Sequence, residues 1–127
     1  KDATGAWLAE NPHRELLLGG DWNVVPTDDD VWDATEFEIY VTEPERAAFN
    51  AFGDVGLREM TRNAEGAIYT FWDYQAGAWQ RDHGFRIDHA LLSPEVADRL
   101  VAAGVDKEYR GREKASDHAP VWVQIRD

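Results

Sequence analysis

A carboxylate and an amide stand two positions apart in the stretch Gly-Asp-Trp-Asn at residues 20–23. On an extended backbone Asp21 and Asn23 face the same side, about 6–7 Å apart, while Trp22 points the other way. Such a pair can activate and orient a water molecule or supply oxygen ligands to a hard cation. It can equally form a turn in which both side chains bond nearby backbone amides. The residues alone leave both readings open.

A second carboxylate, Asp88, stands in the largely apolar run 85–93. An unpaired charge is costly in such an environment, so we expect Asp88 to have a partner. The sequence offers two: Arg86 on the same face of a strand, or an imidazole from elsewhere that Asp88 would orient and hold protonated. His89 is expected on the opposite face and outside any site.

Asp117 and His118 are adjacent near the C-terminus. On a regular strand they would point to opposite faces, so serving one site together requires a bend, which Ser116 and Pro120 favour. Considered alone, a single histidine near a strand end is more often structural.

These polar groups and the aromatic turn at 71–74 are each expected at the end of a separate element. In α/β sheets, chemistry gathers at such strand ends. Carboxylate, amide and imidazole ligands without cysteine suit Mg²⁺ or Mn²⁺, and hard divalent ions commonly act on phosphate oxygens. The residues therefore predict a metal-assisted phosphoester hydrolase.

Helix and strand signals alternate along the chain, which predicts an α/β fold. A helix is expected to stop at Pro12. Another is expected to begin with Thr42 as N-cap and Glu45 at the capping-box position, and to close near Gly53. A third is expected over 93–104, from Ser93 to a Gly104 stop. Strands are expected at 15–25, 57–62, 67–74, 85–93, 106–110 and 120–126. Without repeats or linkers, residues 1–127 are expected to form one unit.

The composition argues against a polyanionic partner. The 127 residues carry a formal charge of -12, and nucleic-acid binders usually present a basic surface. The basic run at 107–114 is an exception, although such a run is most often a solvated loop. No apolar stretch reaches the ~18 residues of a membrane span. The absence of cysteine suits the cytoplasm.

Three blocks, in order, resemble the exonuclease III branch of the endonuclease/exonuclease/phosphatase superfamily, which includes the apurinic/apyrimidinic endonucleases. The blocks are LLLGGDWNVVPTDDDVWD, YTFWDYQAGAWQRDHGFRIDHALLS and GVDKEYRGREKASDHAPVWVQI. The resemblance implies a four-layer α/β sandwich, of which this chain would be the C-terminal half: one mixed, largely antiparallel sheet with flanking helices. His83 stands where the family often has arginine.

The same resemblance implies roles for the matched polar residues. Asp21 would activate the attacking water, with Asn23 orienting the phosphate or water. His118 would contact the scissile phosphate, with Asp88 as its carboxylate partner. Asp117 would help Asp21 and Asn23 to bind Mg²⁺ or Mn²⁺.

The resemblance also assigns a substrate pocket and partners. Phe71, Trp72 and Phe85 would form the wall of a pocket for a base-less sugar, although a plain core role is as common for such aromatics. The substrate would be double-stranded DNA with abasic or 3′-blocked ends. Family members are about twice as long, so we expect the missing N-terminal half or a second copy to pack on the exposed sheet face. The chain alone would be a poor hydrolase or inactive.

Two other functions stay open. A superfamily phosphatase acting on small or lipid phosphates would suit the negative charge, whereas the aromatic turn and the basic run favour DNA. A non-catalytic fragment or interaction module would keep these residues while lacking the metal-binding glutamate of the other half.

Overall fold

The computed structural model describes residues 6–7, 9–10, 15–37, 39–59 and 69–127. Residues 6, 7, 9 and 10 are helical, and Pro12, where that helix was expected to stop, lies outside the described residues. The strands are β1 (Leu17–Asp21), β2 (Arg58–Glu59), β3 (Asp88–Leu92), β4 (Leu100–Val105) and β5 (Val121–Ile125). The further helices are α1 (Glu43–Asp54), α2 (Ala78–Arg81) and α3 (Pro94–Ala97), with 3-10 helices at Asp28–Asp30, Ala34–Glu36 and Lys107–Gly111.

The described strands form two antiparallel sheets, which agrees with the expected α/β architecture. One sheet has the order β1-β3-β2 and the other pairs β4 with β5. The central strand β3 is apolar after its first residues, and four of its five residues are buried. Its register with β1 pairs Leu17 with Leu92 and ends with Asp21 opposite Asp88. The register therefore brings two predicted site residues to the same edge.

Trp22 packs away from that edge, as the alternation predicted. Its ring makes edge-to-face contacts with Phe49 at 5.8 Å and Phe52 at 5.2 Å, both on α1. Buried Val24, Leu57 and Leu91 complete this part of the core. Helix α1 is thereby fixed against β1 and β3, on the side remote from Asp21.

The start of α1 matches its sequence signal. The Thr42 hydroxyl accepts a hydrogen bond from the Glu45 backbone N–H (3.4 Å) and donates to Glu45 Oε1 (2.7 Å). Glu45 Oε2 accepts from the Tyr40 N–H at 2.9 Å. The Thr42 hydrogen bond contributes most to the lowered pKa of Glu45. The N-cap predicted at Thr42 is confirmed, and the Glu45 side chain bonds back to the Thr42 hydroxyl and the Tyr40 N–H.

The expected single helix over 93–104 is wrong in its second half. Helix α3 ends at Ala97, and β4 follows and pairs with β5. Gly104 lies in β4, where an added Cβ would sit 2.5 Å from the Trp122 ring. This glycine permits close packing between strands and does not stop a helix.

Two predicted strands are also absent from the described residues. Residues 106–110 belong mostly to the 3-10 helix Lys107–Gly111, in which Arg110 donates to the carbonyl of Trp72. Within 69–74 only Phe71 forms bridges. Of the expected strand at 57–62, the structure describes Arg58–Glu59 as β2, and residues 60–62 lie outside the described ranges. In the described part of the chain, no helix is long and apolar enough to cross a membrane.

Candidate active site

The candidate site begins where β1 and β3 end at the same edge. Asp21 closes β1, Asp88 opens β3, and the Trp22 N–H donates to the Ile87 carbonyl at 2.9 Å. The Asp88 side chain is 15% exposed and that of Asp21 is 39% exposed. One carboxylate is thus partly enclosed, and the other faces solvent.

His118 is the partner of Asp88. Its Nδ1 lies 2.7 Å from Asp88 Oδ2, and because a carboxylate accepts, Nδ1 carries the proton of this bond. Arg86, the other partner considered, bonds Asp30 instead (Nε to Oδ1, 2.9 Å). The structure therefore selects the imidazole.

The other nitrogen of His118 faces two more carboxylates. Its Nε2 lies 3.7 Å from Asp21 Oδ2 and 3.8 Å from Asp117 Oδ1. Adjacent Asp117 and His118 reach one site because the chain bends here: the His118 N–H donates to Ser116 Oγ at 3.1 Å. The bend predicted from Ser116 and Pro120 is present.

Asn23 departs from the extended geometry assumed for it. Its backbone is left-handed, with φ of 50°, and its N–H donates to Asp21 Oδ1 at 2.9 Å. The turn and the site, posed as alternatives, coexist: one Asp21 oxygen holds the turn while the other faces His118. Asn23 therefore leaves the edge at a different angle from Asp21.

The cluster has the donor set of a divalent-cation site. One ligand atom each from Asp21, Asp88 and His118 lies within 4.8 Å of the others. Among the described residues, no lysine or arginine forms an ion pair with these carboxylates or with Asp117. Carboxylates and an imidazole concentrated without a neutralising side chain fit a hard divalent ion. Asp117 and Asn23 stand beside this group as further predicted ligands.

The three predicted aromatic residues occupy different depths. Phe71 lies against His118, with ring centroids 5.1 Å apart, and Phe85 lies 5.7 Å beyond Phe71. Trp72 is completely buried, and its indole N–H donates to Asp82 Oδ1 at 2.9 Å. Trp72 thus lies behind the site, whereas Phe71 and Phe85 line a cavity of about 380 Å³ together with Trp32, Phe37 and Tyr40.

Sequence reasoning missed Tyr40. Its φ of 68° is rare for a non-glycine residue, and its ring packs on Phe85 at 5.7 Å. Burial raises the pKa of the Tyr40 phenol, and so do the charges of Asp21, Glu45, Asp73 and Asp117. The side chain therefore stands between the aromatic cavity and the site carboxylates. In the sequence, the only signal for Tyr40 is its position two residues before the N-cap Thr42.

His83 and the basic run at 107–114 make defined structural contacts. His83 stacks on Trp32, with ring centroids 3.8 Å apart. In the basic run, Arg110 is buried, and Lys107 pairs with Asp82 at 3.2 Å. The solvated-loop interpretation is therefore wrong for Arg110.

Comparison with known proteins shows the family of this chain. A family model described as the Endonuclease/Exonuclease/phosphatase family matches residues 2–118. The chain belongs to that family.

Its relatives include DNA-processing enzymes. The chain is 32% identical over 123 residues to exodeoxyribonuclease III of Haemophilus influenzae, covering 87% of this chain and 46% of that protein. The 3′ phosphatase NExo from Neisseria, solved with a product DNA hairpin, has a TM-score of 0.86 and 37% identity over 98% of this chain and 51% of its own. An AP endonuclease from Archaeoglobus fulgidus has a TM-score of 0.79 and 30% identity, covering 98% of this chain and 54% of its own. The chain spans about half the length of these proteins.

Proposed function

We propose that this chain is the C-terminal half of a metal-dependent DNA phosphodiester hydrolase of exonuclease III type. Its activities would be 3′–5′ exodeoxyribonuclease and abasic-site endonuclease in DNA repair, and the proposed location is the cytoplasm. The observation that carries the proposal is the Asp88–His118–Asp21 cluster, which lies on the motifs that resemble exonuclease III. The names and structures of the relatives support the choice of DNA.

His118 and the polar residues around it would have different catalytic roles. Asp88 accepts from Nδ1–H, which leaves Nε2 facing Asp21 and Asp117. Carrying a proton, Nε2 would donate to a non-bridging oxygen of a phosphate bound there. Asp21 would activate the attacking water, and Asn23, at its left-handed position, would orient the water or phosphate. Removing a group that stabilises developing charge in this way typically costs about 10²–10³ in turnover.

Asp21, Asp117 and Asn23 would hold Mg²⁺ or Mn²⁺, with Asp88 and His118 close to the same ion. When bound, such an ion neutralises charge on the phosphate oxygens. The cluster of carboxylates without a paired lysine or arginine in the described residues supports this assignment.

Phe71 and Phe85 would form the wall of the pocket for a base-less sugar, because both line the cavity and Phe71 lies against His118. Trp72 would support that wall from behind, since none of its surface is exposed. Duplex DNA with abasic or 3′-blocked ends is the proposed substrate of the complete protein.

A second chain segment is proposed to cover the groove between β1 and β5. The groove measures about 360 Å³ and is lined largely by apolar residues. Leu17 and Trp122 on its walls are 45% and 40% exposed. The N-terminal half of the family fold, or a second copy of this chain, would bury this surface.

The charge of -12 favours a second candidate, a phosphatase acting on small or lipid phosphates. A third, a non-catalytic interaction module, would use the same residues without turnover. Turnover experiments separate the three.

The test is Mg²⁺-dependent turnover by this chain alone and by the complete polypeptide of its gene. The substrates are an abasic duplex, a 3′-phosphate duplex and a small phosphate ester. His118→Gln is the variant expected to be inactive, and Asp98→Asn is the control variant expected to keep its activity. Cleavage of DNA by the complete polypeptide supports the proposal. Hydrolysis of the small ester alone supports the second candidate, and no turnover of any substrate supports the third.

A further inference from the structure

Thr70 is a completely buried residue that the site description does not use. It precedes Phe71 and lies where the start of β3 meets the loop carrying Asp117 and His118. Its contacts suggest a role in holding these two segments together.

The Thr70 hydroxyl forms its hydrogen bonds with the backbone that leads into β3. Oγ1 accepts hydrogen bonds from the N–H groups of Ile87 (3.1 Å) and Asp88 (3.2 Å), and its own O–H is directed at the Phe85 carbonyl, 3.4 Å away. One side-chain oxygen therefore fixes two successive peptide units, the second of which carries the carboxylate that binds His118.

The Thr70 backbone holds the histidine side of the site. Its carbonyl accepts the N–H of Ala119 at 2.8 Å, directly after His118, and its own N–H donates to Phe85 at 2.8 Å. Two residues on, the Trp72 N–H donates to the Asp117 carbonyl at 2.9 Å. Thr70 thus contacts the backbone on both sides of the Asp88–His118 hydrogen bond.

This matters because the two partners are attached to different sheets. Asp88 opens β3 of the three-stranded sheet, and His118 precedes β5 of the two-stranded sheet. Their 2.7 Å bond requires the two sheets to keep a fixed spacing at this edge. A displacement of about 1 Å in such a constellation can cost about a hundredfold in rate.

We propose that Thr70 is a positioning residue, whose hydroxyl holds the Asp88 backbone where its carboxylate meets His118 Nδ1. The role of Thr70 in holding the Asp88 backbone does not depend on what the protein does, whereas its role in catalysis rests on the proposed function. Valine has nearly the shape of threonine but cannot accept the two N–H bonds, whereas serine keeps the acceptor.

The geometric test is NMR of the ¹⁵N-labelled histidine ring of His118 in the chain itself, at fixed pH. We expect a hydrogen-bonded Nδ1–H signal that is lost or exchanges at least about tenfold faster in Thr70→Val, as in the reference variant Asp88→Asn. Thr70→Ser should keep it. Thr35→Val, which removes an exposed hydroxyl bound to Asp33, should leave it unchanged.

A Thr70→Val spectrum equal to the wild-type spectrum would overturn the proposal. If the valine variant does not fold, the serine variant decides: retention of the signal supports the hydroxyl, and loss of it shows that the methyl group is what matters and refutes the idea.

The catalytic test uses the complete polypeptide. We expect Thr70→Val to lower kcat about ten- to hundredfold with little change in KM, and Thr70→Ser to restore kcat. An unchanged kcat in a folded valine variant would refute the positioning role. If the wild-type protein cleaves no phosphoester, the proposed function fails, and the NMR result still decides whether Thr70 holds the pair.

Discussion

Two histidine–carboxylate clusters lie on either side of β3, one enclosed and one open. In the enclosed cluster, Arg86 binds Asp30 (2.9 Å) and Glu59 (3.2 Å), and its Nη1 lies 3.1 Å from His89 Nδ1. In the open cluster, Asp21, Asp88 and Asp117 surround His118. Adjacent residues of the same strand, Asp88 and His89, therefore enter two different environments.

The enclosed cluster carries its own counter-charge. The Arg86 and Asp30 side chains are each 2% exposed, and two carboxylates there face one guanidinium. His89 Nε2 donates to the Val24 carbonyl at 2.9 Å, which leaves Nδ1 to accept from Arg86. This arrangement requires a neutral ring, and burial lowers the pKa of His89 in the same sense, as does the Arg86 charge.

The open cluster has acidic groups without such a counter-charge in the described residues. Its side chains are 15–39% exposed, so a ligand can reach them. The comparison shows that residue type alone does not define a site. In the enclosed cluster the internal cation compensates the buried carboxylates, so removing it is costly, whereas the open cluster leaves its carboxylates accessible to a ligand.

The largest expected effect is on stability, in the enclosed cluster. Arg86→Met leaves Asp30 and Glu59 buried without their guanidinium, and we expect a loss of about 3–5 kcal/mol in the free energy of unfolding. Urea unfolding measures it. The matched control is Arg58→Met, whose partner Asp98 lies 4.0 Å away at the surface, with an expected cost below about 1 kcal/mol. Equal losses of unfolding free energy in Arg86→Met and Arg58→Met would show that the enclosed cluster matters no more to stability than a surface ion pair.

The second effect concerns the open cluster and a divalent ion. Mn²⁺ at about 100 times its dissociation constant should stabilise the wild-type chain by about 2.7 kcal/mol. Asp21→Asn should abolish most of this gain because it removes one charged ligand, and Asp98→Asn should retain it. Thermal unfolding of the wild type and both variants, with and without Mn²⁺, measures this stabilisation. If the wild type is not stabilised by the ion, the open cluster is not a metal site of the isolated chain.

The two histidines give the most direct comparison. His89→Gln disturbs buried bonds to Val24 and Arg86 and should cost about 2 kcal/mol of unfolding free energy, whereas His118→Gln should cost less than about 1 kcal/mol. Chemical denaturation of both variants under one condition tests the order. A larger loss for His118 would show that it too is chiefly structural.

The smallest effect lies outside both clusters, at the cap of α1. The lowered pKa of Glu45 means that its carboxylate stabilises the fold above its ordinary value of 4.5, and that this contribution is lost as the pH falls through the lowered value. Glu45→Gln should therefore cost about 0.5 kcal/mol at pH 7, and its stability curve should converge with the wild-type curve in acid. Glu43→Gln, two residues earlier in the same first turn, serves as the control. Parallel curves down to low pH would refute the prediction.

Local signals predicted the elements whose causes are local. The N-cap of α1 depends on Thr42 and Glu45, three residues apart, and was predicted correctly. The apolar run predicted β3, and the alternation around Trp22 predicted which side faces the core. Residues 106–110 were misread as a strand, because the burial of Arg110 against Trp72 decides their conformation and no local pattern reveals it.

For the candidate site too, some features follow from the sequence and others only from the tertiary structure. The sequence by itself determined the family and marked Asp21, Asn23, Asp88, Asp117 and His118 through three ordered motifs. The residues left two partners open for Asp88, and the family resemblance implied His118. Only the tertiary structure showed the bond between Asp88 and His118, 30 positions apart, and showed that Arg86 turns to Asp30 instead. The physical reason is that a buried charge takes whichever partner the packing of the strands brings within hydrogen-bond reach, and that packing depends on the whole chain.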